Sequence, residues 1–139
     1  MQNRSDTSST TRPTIFLVND DRDGVRPLTT RLRSLGYRVL VSVHPDDALE
    51  WTGSEFIHAD LLLLDLVCKT PEEVLRVGRH LRQHAKYDGQ TPLVVMADHF
   101  GHDLEGTDVE VSPREWVTYV GEADQLPQLL ARLMPAAVG

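Results

Sequence analysis

Two short stretches of this chain place carboxylates where they could do chemistry. The apolar run TIFLV (Thr14–Val18) stops at Asn19-Asp20-Asp21, and the run DLLLLDL (Asp60–Leu66) carries a lone acid, Asp65, at its far end. A carboxylate held at the edge of an apolar environment is a hard oxygen ligand for a small divalent cation and, ionised, a nucleophile. A run as short and apolar as the leucines before Asp65 predicts a strand covered on both faces. The carboxyl end of such a strand opens into the crevice where open α/β sheets bind ligands. Taken alone, Asp65 has two readings: a site acid, or a residue that ends the strand and caps the next element.

The elements that must position these acids alternate in type. After Thr14–Val18, the residues Val25, Leu28, Leu32 and Leu35 recur at helical spacing, and Gly36 supplies a stop. Pro27 fits that helix only in its first turn, with Asp23 or Gly24 as the cap. YRVLVSV (Tyr37–Val43) alternates as a more exposed strand, and Pro45-Asp46-Asp47 opens a short helix with Ala48, Leu49 and Trp51. Thr70-Pro71-Glu72-Glu73 predicts a helix start, with Thr70 as cap, proline at the first position and Glu73 closing a capping box. Val74, Val77, Leu81 and Ala85 form its stripe. TPLVVMA (Thr91–Ala97) and WVTYV (Trp116–Val120) are further strands. A last helix carries Leu126, Leu129, Leu130, Leu133 and Met134, with Pro127 in its first turn and Pro135 ending it.

Alternation of strand and helix predicts right-handed crossovers and a parallel sheet. One interval breaks the rhythm. HFGHDLEGTDVEVSPRE (His99–Glu115) has no apolar stripe, is punctuated by Gly101, Gly106 and Pro113, and contains DVEV, which looks extended. A helix there is short, distorted or absent.

The chain has 139 residues, 40% hydrophobic and 25% charged, which suits one globular domain with a real core. A net charge of −7 with no basic stripe argues against a nucleic-acid surface. The single cysteine, Cys68, excludes an intramolecular disulfide and suits a reducing cytoplasm. No apolar run approaches the roughly 18–20 residues of a membrane span, and no signal peptide is visible. Residues 1–13 are expected to be a flexible tail, 14–135 the domain, and 136–139 a short end.

Two acids after the first strand, a lone Asp after a leucine-rich third strand, and five βα units resemble the receiver domain of bacterial two-component response regulators. SLGYRVLVSVHPDDALE resembles that family's passage from first to second helix. The resemblance implies a flavodoxin-like (βα)5 sandwich with a five-stranded parallel sheet in the order 2-1-3-4-5. It implies that Asp65 is a phosphoacceptor taking a phosphoryl group from a histidine kinase or phosphotransfer protein, with Mg²⁺ offsetting the charge on the transferred oxygens. Asp20, Asp65 and the backbone carbonyl of Val67 would hold the metal, with Asn19 standing where the family has another acid and Asp21 able to compensate. The chain would be a signalling protein and not an enzyme, cytoplasmic, acting on a downstream protein. Ending at Gly139 with no effector domain, it would act by protein contact, and pairing with a second copy is an open alternative.

The departures are specific. Ala97 stands where the family has a Thr or Ser that bonds the phosphoryl group, and Tyr119 where it has a lysine. Trp116 falls at its switching aromatic and is expected near the site. Losing both phosphate contacts leaves a second reading, a pseudo-receiver that binds proteins without phosphorylation. Val67 denies Asp65 the second acid of an Asp-x-Asp phosphatase, and no phosphate-cradling glycine loop follows any strand. His80 and His84, four apart, read as a solvated pair. Asp98, His99 and His102 read as a polar loop beside the site, Cys68 as an inert thiol, and Trp51 as packing.

Overall fold

The computed structural model describes residues 12–44, 59–66, 69–84, 91–97 and 101–134. Its elements in chain order are β1 (Thr14–Asn19), α1 (Arg22–Ser34), β2 (Arg38–Ser42), β3 (Leu61–Asp65), α2 (Pro71–His84), β4 (Leu93–Ala97), β5 (Thr107–Ser112), β6 (Glu115–Tyr119) and α3 (Gln125–Leu133). The strands form one sheet in the order β2-β1-β3-β4-β6-β5, parallel throughout except for β5, which runs antiparallel to β6.

The leucine run is explained by where it lies. Side chains alternate across a strand, so Leu62 and Leu64 join the core under α2, while Leu61 and Leu63 join the core under α1 and α3. All four are fully buried, as a central parallel strand requires. Gly78 of α2 lets that helix lie close on the sheet, since a Cβ there would run into the Leu93 side chain. The capping box at α2 is complete. Thr70 N–H donates to Glu73 Oε1 at 2.8 Å, and Glu73 N–H donates to Thr70 Oγ1 at 3.2 Å. The Thr70 N–H holds the Glu73 carboxyl below its ordinary range.

The expected five-stranded sheet is corrected to six. The five parallel strands keep the order 2-1-3-4-5, and the interval expected to lack a proper helix contributes an antiparallel edge strand instead. Turns at 101–106 lead into it, with Gly106 at φ 82° and its N–H on Tyr119 O at 2.8 Å. Arg114, at φ 65°, closes the hairpin back into β6. Gln125 at the start of α3 then locks the hairpin: its Nε2 donates to Asp108 Oδ1 at 2.9 Å and its Oε1 accepts from Gly121 N–H at 2.8 Å.

A second correction concerns Pro27. Asp21, not Asp23 or Gly24, caps α1, its side chain accepting from Asp23 N–H at 3.1 Å. The helix therefore starts early and Pro27 lies inside it rather than in the first turn. Proline there withholds one helical N–H. Pro27→Ala is expected to stabilise the chain by about 1 kcal/mol, the restored bond being partly offset by a freer unfolded chain. Thermal unfolding should show a Tm higher by about 3 °C; an unchanged or lower Tm would refute this. The second helix expected from Pro45 and its Trp51 lie outside the described residues, as does Ala85. Among the described residues, no helix is long and apolar enough to cross a membrane.

Candidate functional site

The chain order of the sheet reverses between β1 and β3, because β2 lies on one side of β1 and β3 on the other. Crevices at the carboxyl ends of strands at such a point are the ligand sites of open α/β sheets. Asn19 and Asp65 are register partners there, the last residues of β1 and β3. Asp65 is half-buried, and Leu66 behind it is buried. Asp20 and Asp21, both half-buried, come directly after Asn19.

These residues do different work. Asn19 is 1% exposed, and its Oδ1 accepts from Asp21 N–H at 2.8 Å. Its Nδ2 is buried with no hydrogen-bond partner among the described residues. That bond to Asp21 orients the amide, so Asn19 presents a donor at the site where an acid would present an acceptor. Asp21 is committed to capping α1, which leaves Asp20 and Asp65 as the carboxylates suited to a cation. Gly24 makes room for the cap: a Cβ there would stand 2.7 Å from Asp21 Oδ2.

The positions next along the sheet edge are also placed. Ala97, 5% exposed, and Tyr119 are register partners at the ends of β4 and β6. Tyr119 packs against the core on the α2 face. Trp116, expected near the site, pairs with Val94 instead, in the first half of β6. It packs on the α1 and α3 face with the Arg132 guanidinium 5.3 Å from its ring centre. Three residues of strand, about 10 Å, separate it from the level of Tyr119. His102 is fully exposed, with Nδ1 3.7 Å from Glu105 Oε1. His80 and His84 are exposed and meet edge to face at 6.4 Å. Val67, Cys68, Asp98 and His99 lie outside the described residues. Among the described residues, no group of three or more His, Cys, Asp or Glu side chains could hold a metal ion.

No protein-family model matches the chain, and no curated protein matches it in sequence. Solved structures do match its backbone. The receiver domain of a sensor histidine kinase from Pseudomonas aeruginosa, solved with a magnesium ion in its active-site cleft, superimposes with a TM-score of 0.61 at 19% identity, over 90% of this chain and 99% of that one. A protein from Chloroflexus aurantiacus assigned as a response regulator gives 0.63 at 17% identity, over 89% and 98%. A transiently phosphorylated switch in bacterial signal transduction gives 0.59 at 18% identity, over 90% and 94%. The fold is that of response-regulator receiver domains. Within the receiver fold, this chain brings Asn19, Asp20 and Asp65 to one end of the sheet and stations Ala97 and Tyr119 beside them.

Sequence reasoning missed the polar groups that brace the fold around this sheet. Glu115, 5% exposed, bonds Arg79 and Arg82 of α2, and Gln125 ties β5, β6 and α3 together. The Glu115 contacts span 36 and 33 residues, which no local pattern signals.

Proposed function

We propose that this chain is a receiver-like signalling protein of a two-component phosphorelay, accepting a phosphoryl group on Asp65 and acting through protein contact in the cytoplasm. The reading is carried by one observation: Asn19 and Asp65 are register partners at the point where the sheet order reverses, with Asp20 next in the chain. Residues 14–135 form the working domain.

In the reaction, a carboxylate oxygen of Asp65 attacks the phosphorus of a phosphohistidine on a kinase or phosphotransfer protein. The P–O bond forms as the P–N bond breaks, and the donor's imidazole leaves with the electron pair and is protonated. Two hard carboxylate oxygens, from Asp20 and Asp65, suit Mg²⁺, which commonly binds through one or two carboxylates and keeps several waters. The Val67 carbonyl is a further proposed ligand. Bound there, Mg²⁺ would supply the positive charge that offsets the phosphoryl oxygens. Burial of Leu66 and the leucines behind Asp65 excludes water from the back of the acid and holds its backbone rigid.

Ala97 and Tyr119 favour a second reading, a pseudo-receiver that binds proteins without phosphorylation. A methyl group donates no hydrogen bond, and Tyr119 brings no cation. Intact-mass measurement after incubation with acetyl phosphate and Mg²⁺ separates the two. The competent receiver gains one phosphoryl group that Asp65→Ala abolishes. No gain with this donor or with histidine kinases leaves the binding module as the function.

A further inference from the structure

The hairpin that stands in place of a crossover helix leaves part of the sheet uncovered. Asp108 of β5 turns toward α3, where it accepts from Thr118 Oγ1 at 2.7 Å and from Gln125. Val109 pairs with Val117, which belongs to the core on the α2 face, so β5 sends its valines to that face. Val109 is 37% and Val111 43% exposed. Val111 lines a groove of about 510 Å³ with Leu75, Val117 and Tyr119, between α2 and the hairpin, with Arg76 and Arg79 on its rim. Strands of a parallel sheet are ordinarily covered on both faces. α3 packs over one face of β6; on the other, only the flank of α2 reaches it.

Both walls are braced. Glu115 holds Arg79 at 2.7 Å and Arg82 at 2.5 Å, pinning α2 to the start of β6. Gln125 pins the hairpin from the opposite face. A groove with fixed walls loses little freedom on filling, and this volume lies within the range of ordinary binding clefts.

Charge selects the occupant. The chain carries −7 overall, yet this wall has Arg76, Arg79 and Arg82 against Glu72 and Glu115. A second copy is a poor fit, because α1, α2 and α3 all turn their apolar faces into their own core and the rims would meet with like charge. We propose that the groove docks an amphipathic helix of a partner protein, with an apolar stripe at i, i+4 and i+7 flanked by Asp or Glu. The docking requires no phosphoryl group on Asp65, so it stands apart from the function proposed above.

The test is a selection from a displayed library of helix-forming peptides against the full chain, followed by fluorescence anisotropy of the winners. Enrichment of apolar stripes with acidic flanks is expected, with affinities near micromolar. Binding should weaken at least about tenfold with Val111→Glu and with Arg76→Glu. Both sites are exposed, and unchanged thermal unfolding of each variant checks the fold. Three outcomes would overturn the proposal: no helical sequence enriched, selected peptides indifferent to Val111→Glu (as strand addition on the outer edge of β5 would give), or self-association of the chain that Val111→Glu abolishes.

Discussion

Glu115→Ala is expected to lower the unfolding free energy by about 3 kcal/mol, the lower end for breaking a buried ion pair. Both carboxylate oxygens are engaged, Oε1 by Arg79 Nε at 2.8 Å and Oε2 by Arg82 Nη2 at 2.5 Å. The Arg79 side chain is 46% exposed and can turn to water; that of Arg82 is 16% exposed and would keep a poorly matched charge. Its second bond, Nη1 to Thr91 O at 3.1 Å, satisfies only part of that guanidinium. At this chain length the loss corresponds to a Tm lower by about 10 °C.

The same pair predicts a pH dependence. Burial pushes the Glu115 carboxyl up, but hydrogen bonds and charge from Arg79 and Arg82 outweigh it and leave the folded value below the ordinary 4.5. A carboxyl depressed on folding contributes stability that is whole above its unfolded value and is lost as pH falls through its folded one. Urea unfolding should therefore show wild type and Glu115→Gln differing at pH 7 and converging in a window that opens below 4.5. A gap that stays constant on acidification would show that the charge of Glu115 contributes nothing.

The second large effect is at Asn19, where Asn19→Asp should change sign with Mg²⁺. A carboxylate at this 1% exposed position can still accept from Asp21 N–H, and it removes the buried Nδ2 that has no partner among the described residues. It also sets a second negative charge beside Asp65, its register partner. Without metal, like charge and desolvation should destabilise the chain by about 2 kcal/mol. With Mg²⁺ at millimolar levels the added charge should tighten binding by about tenfold or more, and the stability deficit should shrink or reverse. Calorimetric titration and thermal unfolding with and without Mg²⁺ read both arms. Equal Mg²⁺ affinity in the two proteins would mean that no cation is held at this end of the sheet.

Much of this is legible in the residues because it is encoded locally. Four consecutive leucines have no amphipathic alternative, so they mark a strand buried on both faces. The Thr70–Glu73 capping box is a reciprocal pair three residues apart, readable from residue types alone. Asn19, Asp20 and Asp65 are placed by where their strands must end. The start of α1 is not legible in this way, because neighbouring acids compete to cap it and only the backbone decides that Asp21 does. Trp116 lies farther from the site than expected, since a strand's position in the sheet says nothing of how far along it a side chain stands.

By itself, the sequence determined the parallel strands, their alternation with helices and the acids at their ends, since period, capping and chain punctuation are properties of neighbouring residues. It also showed that residues 99–115 form no amphipathic helix. Only the tertiary structure decided what they do instead. Edge pairing with β6 and the link from Asp108 to Gln125 satisfy backbone and side chains through partners distant in sequence. The clamp of Glu115 on α2 and the open groove beside it arise in the same way, from contacts that exist only once the chain has closed on itself.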